Sequence, residues 1–108
     1  MTTERELLTL AAKACGFHDY RSVGIHLFEV KSHPTWPWVI WNPLHDDGDC
    51  ARMEAALGID VKWYKSGVIA HIRDTGIQSE VFINHASDKN AARRAASVAI
   101  AVEIWRLM

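Results

Sequence analysis

The sequence predicts an α+β fold, a largely antiparallel sheet of about four strands flanked by three helices, making a helix–sheet–helix sandwich. Two observations lead there. Apolar residues recur at helical spacing near both ends and in the middle of the chain, whereas 61–84 switches to an alternation of period two broken by turn residues. At 108 residues there is room for one core only, so residues 1–108 form a single domain. A chain of this size buries roughly two-thirds of its unfolded surface and needs neither a metal nor a disulfide to fold.

Thr3 followed by Glu6 is a capping box that opens a helix running to about Cys15. Leu7, Leu8, Leu10, Ala11, Ala14 and Cys15 gather on one side of it, and Gly16 is placed to end it. Residues 23–30 read as a strand covered on both sides, because Ile25 and Leu27 alternate with His26 and Phe28 and neither face is polar. Lys31 to Pro37 is loop. Trp38 to Trp41, bracketed by Pro37 and Pro43, adds an edge strand.

The densest stretch is Trp41-Asn42-Pro43-Leu44-His45-Asp46-Asp47-Gly48-Asp49. Pro43 fixes its own φ and pushes Asn42 out of the α region, so the chain must turn there. A helix follows to Leu57, with Cys50, Met53 and Leu57 as its buried stripe. Asp46 or Asp47 can accept hydrogen bonds from its first free N–H groups, and the other carboxylates sit where the helix dipole favours negative charge. Trp41 folds back as an apolar plug.

A hairpin turn at Ser66-Gly67 puts Val61 and Trp63 on one sheet face with Val68, Ala70 and Ile72. Lys62, Tyr64, Ile69, His71 and Arg73 then share the other face. Ile77 to Asn84 is the next strand, with Val81 and Ile83 towards the core and Glu80 and Phe82 opposite. Ser87 or Asp88 caps a final helix to about Arg106. Its buried face is mostly alanine (Ala92, Ala95, Ala96, Ala99, then Val102), and Asn90, Arg93, Arg94 and Ser97 make its wet face.

Net charge is −1, which disfavours a general nucleic-acid binder, whose footprint is strongly basic. The N-terminus lacks a basic region and an apolar core of signal-peptide length, and the longest apolar run is too short to span a bilayer. A cytoplasmic location follows as the expectation, with Cys15 and Cys50 as reduced thiols and no membrane association.

Three pieces of the chain resemble one family. They are Ala11-Ala12-Lys13-Ala14-Cys15-Gly16-Phe17, the Trp41 to Asp49 stretch, and Ala91-Ala92-Arg93-Arg94-Ala95-Ala96 leading to Glu103-Ile104. The family is that of small phage-encoded proteins grouped as the phage ABA sandwich domain. A helix end of the form AA-x-A-x-G followed by Tyr or Phe, a WNPL-x-DDGDA segment and an A-x-RRA final helix recur in it. Cys50 stands where alanine is common. The resemblance implies a helix–sheet–helix sandwich and a phage or prophage origin, and it implies no activity.

The carboxylates Asp46, Asp47 and Asp49 could hold Mg²⁺ or Ca²⁺, which take oxygen ligands. Their spacing falls short of an EF-hand loop and no distal Glu is in register, so capping is the preferred role and no metal is expected. His18, His26, His33, His45, His71 and His85 show no zinc-type spacing. Both cysteines lie on apolar helix stripes, where a thiol is usually inert. No phosphate loop or nucleophile elbow occurs, and no cofactor is implied.

The candidate binding residues are Tyr64, Ile69, His71, Arg73 and Phe82 on the mixed sheet face, with Trp36 in a loop between Thr35 and Pro37. Aromatics interleaved with cations, here including Lys62, can stack unpaired bases. Glu80 on that face and the charge balance weigh against such a platform, and in a sandwich a helix covers the face. The expectation is therefore a non-enzymatic accessory protein that binds a host or phage protein or associates with itself. Single-stranded nucleic-acid binding through the sheet face is the alternative, and a metal-dependent enzyme using the Asp cluster is the third reading.

Overall fold

A computed structural model describes residues 3–24, 27–72, 80–84 and 88–108. Along the chain come helix α1 (Glu4–Cys15), strands β1 (Asp19–Ser22), β2 (Phe28–Lys31) and β3 (Val39–Ile40), helix α2 (Asp47–Leu57), strands β4 (Ile59–Trp63), β5 (Gly67–Ile72) and β6 (Glu80–Asn84), and helix α3 (Lys89–Leu107). The class is α+β with three helices and antiparallel strands, as expected.

The sheet differs from expectation. Instead of one sheet of about four strands there are two of three, ordered β1-β2-β3 and β4-β5-β6. The extra strand is β1, whose Asp-Tyr-Arg-Ser sequence has no apolar alternation to betray it. It pairs with β2 from Asp19 opposite Lys31 to Ser22 opposite Phe28. The continuous 23–30 strand is therefore replaced by β2 alone, and Ile25 and His26 lie outside the described residues. Prolines on both flanks leave β3 only two residues, paired Glu29–Ile40 and Val30–Val39.

Layering differs as well. Helix α1 packs against β1, β2 and α3, while α3 packs against β4, β5 and β6, so the helices stand between the two sheets rather than outside one. This explains the alanines. Ala92, Ala96 and Ala101 are buried in α3 with Ser97, Val98, Ile100 and Val102. A helix covered on more than one side carries no clean apolar stripe, and small residues let neighbours come close.

All three expected helix starts form. Thr3 accepts the N–H of Glu6 at 3.2 Å, and Gly16 ends α1 at φ 77°, a left-handed conformation that costs glycine little. Asp46 Oδ2 accepts the N–H of Asp49 at 2.8 Å and caps α2. Asp88 caps α3 through the N–H of Ala91. The second sheet keeps the expected faces although its turn is shifted: Tyr64 donates to the Gly67 carbonyl at 2.8 Å and Trp63 pairs with Val68. Moving a pairing by two residues preserves side-chain parity, so each residue stays on its face.

Candidate functional site

The second sheet sets one face against α3, and its other face carries the exposed Lys62, Tyr64 and Phe82. Val68 and Ala70 are fully buried on the α3 side, joined by the half-buried Val61, Val81 and Ile83. On the other side the register lines up Lys62, Ile69 and Phe82 across the three strands, with His71 opposite Asp60 one row further on. Among the described residues no helix covers that side, contrary to the expectation of a sandwich buried on both faces. Phe82 is 51% exposed and Tyr64 50% exposed, while Ile69 and His71 are half-buried.

The platform is built by a glycine. A Cβ added at Gly67 would stand 2.3 Å from the Phe82 ring, so only a glycine on the neighbouring strand leaves room for it there. Of the remaining candidates, Arg73 lies outside the described residues, as does His85 of the histidines considered for zinc. Trp36 is exposed but belongs to the β2–β3 connection of the other sheet, with its ring 5.9 Å from that of His33. The structure thus brings together Lys62, Tyr64, Ile69, His71 and Phe82, and separates Trp36 from them.

The Trp41 to Asp49 stretch is architectural. Trp41 is 5% exposed, edge-on to Phe17 at 5.2 Å and tilted to Phe28 at 6.2 Å. The Asn42 side-chain oxygen accepts the N–H of Leu44, and the Asn42 backbone N–H donates to Asp49 Oδ2 at 2.9 Å. Asp49 Oδ1 takes Arg52 at 2.6 Å, and Asp47 takes Arg94 at 2.5 Å. Asp46 and Asp49 share the Arg52 guanidinium, 3.8 and 2.6 Å away, and among the described residues no three His, Cys, Asp or Glu side chains are grouped as ligands of one ion.

Arg94 also donates to the Leu44 carbonyl at 2.9 Å, joining the Trp41 to Asp49 segment to the final helix. Beside it lies a polar cluster that periodicity misplaces. Glu54 accepts from Arg93 through both oxygens, from Ser97 Oγ at 2.5 Å and from Cys50 Sγ at 3.6 Å. Ser97 is fully buried and Arg93 and Arg94 are largely so, which corrects their assignment to a wet face. The physical reason is that α2 packs on that side of α3. The available signal was the pair of i, i+4 polar couples, Cys50/Glu54 and Arg93/Ser97, each able to face a partner helix. Burial pushes the Cys50 thiol up to about 12, with the Glu54 charge adding to the effect and Arg93 opposing it. A thiol so protonated is no nucleophile.

No protein-family model, curated protein or solved structure matches the chain. Among the described residues no helix is long and apolar enough to cross a membrane.

Proposed function

We propose that this chain is a phage- or prophage-type accessory protein of the bacterial cytoplasm that acts by binding, using the open face of β4–β6 to meet another protein. The phage origin rests on the three motifs quoted above. The binding role rests on one observation: among the described residues no helix covers the outer face of β4–β6, and Phe82 and Tyr64 stand half exposed there. Interfaces favour such aromatic residues, and the face mixes them with Lys62, His71 and Asp60 as a protein-binding rim does. A base-stacking platform needs cations in excess, whereas Asp60 shares this face and the chain carries −1.

The test uses Tyr64→Glu and Phe82→Glu. Both should keep the circular dichroism spectrum and lose either self-association in light scattering or the specific partner captured from a phage-susceptible lysate. Unchanged mass and unchanged capture in both variants would reject the reading. Salt-sensitive oligonucleotide retention, abolished by the same two changes, would replace it with the nucleic-acid one.

A further inference from the structure

Strand β4, Ile59-Asp60-Val61-Lys62-Trp63, pairs with β5 on one side, and among the described residues no strand pairs with it on the other. Tyr64 donates to the Gly67 carbonyl at 2.8 Å, so that pair exchanges hydrogen bonds, and in an antiparallel ladder every second pair does the same. Lys62 and Asp60 therefore turn their main-chain groups towards β5. Ile59, Val61 and Trp63 turn theirs away from it. Proteins usually blunt such an edge with a proline, a bulge, a very short strand or a charge. Strand β4 keeps an unbroken register over its 5 residues and has no proline. Its blunting charge is the exposed Lys62.

This edge is complementary to itself. Set antiparallel to a second copy with Val61 opposite Val61, Ile59 falls opposite Trp63 and Asp60 opposite Lys62. The residues with outward main-chain groups then meet one another and satisfy each other's N–H and C=O. Asp60 and Lys62 occupy the rows between, where side chains approach closest and opposite charges favour pairing. Sliding the copies by two residues sets Asp60 against Asp60 in one direction and Lys62 against Lys62 in the other. Charge thus selects one register. Trp63, 50% exposed at the strand end, would gain Ile59 of the second copy as its cross-strand neighbour.

We propose that this chain forms a two-fold dimer with a second copy of itself by antiparallel pairing of β4 with β4, joining the two β4–β6 sheets into one continuous sheet. Lys62 repels strands that present no acid at this position and accepts the one that presents Asp60. The contact is at the edge of the sheet and not on the face offered above to a partner, so either can fail without the other.

The experiment measures mass by sedimentation equilibrium over a concentration series, with circular dichroism as the check of fold. The wild type should pass from monomer to dimer as concentration rises. Lys62→Asp sets acid against acid and Asp60→Lys sets base against base, so each alone should be monomeric where the wild type is dimeric. Mixed one to one, the two variants again place opposite charges across the edge and should form a dimer with one copy of each. A wild type that stays monomeric throughout, a folded variant that stays dimeric, or a mixture that stays monomeric would overturn the proposal. So would loss of the dimer in Phe82→Glu, on the far strand of the sheet, which would move the contact to the sheet face. Should either charge variant fail to fold, hydrogen exchange in the wild type decides. The outward Val61 amide should exchange at least tenfold more slowly in the dimer than after dilution to monomer, and a rate that ignores concentration would overturn the proposal.

Discussion

Glu54 gathers the donors of Arg93, Ser97 and Cys50 into the seam between α2 and α3, and Cys50 shows what that burial does to a titratable group. In the unfolded chain its thiol ionises near the ordinary value of 9.0, whereas folding pushes it up to about 12. Above pH 9 the unfolded state therefore binds fewer protons than the folded one, and stability falls as pH rises. The contribution is whole below pH 9 and gone by about pH 12. Cys15, raised by burial to about 11, adds its own loss over a narrower window. Urea midpoints measured from pH 7 to 11 should fall for the wild type and fall less steeply for Cys50→Ala. Parallel slopes would show that the thiol ionises in the folded state as easily as in the unfolded one.

At the scale of elements, α2 and its entry turn act as one unit. Trp41→Ala should cost about 3–5 kcal/mol, the range for truncating a buried large aromatic, because the ring is wedged between Phe17 and Phe28. Asp46→Ala should cost about 1 kcal/mol and Asp46→Asn much less, since Asn caps nearly as well. Millimolar Mg²⁺ should leave the melting temperature of all three unmoved. A Trp41→Ala loss under about 1 kcal/mol in urea unfolding would contradict the plug role. These features were legible because caps, prolines and glycines act within a few residues. The α1 boundaries at Thr3 and Gly16 could be read directly, and the α2 cap was narrowed to Asp46 or Asp47, of which Asp46 is the one. The face parity of β4 and β5 was legible too, surviving a turn misplaced by one position. What could not be read locally was tertiary. Strand β1 has no apolar signal, and Ser97 is polar yet fully buried because a second helix supplies Glu54 as its partner.

For the whole molecule, the central fact is that the helices lie between two sheets whose strands pair only within their own sheet. Helix α3 reaches α1 on one side and β4–β6 on the other, so it ties the first sheet to the second through α1. Ala96 is fully buried within α3, and Ala96→Leu forces extra methylenes into a packed seam at a typical cost of about 1–3 kcal/mol. If the chain is one cooperative unit, that cost is felt equally on both sides. Amide hydrogen exchange of Val30 in β2 and Ala70 in β5 reports the two sheets separately, since both residues are fully buried in paired strands. Both amides should exchange in the wild type by global opening with the same free energy. In Ala96→Leu both should lose the same amount. A drop at Ala70 with Val30 unchanged would show that the β1–β3 sheet with α1 opens independently, and that α3 belongs to the second sheet alone.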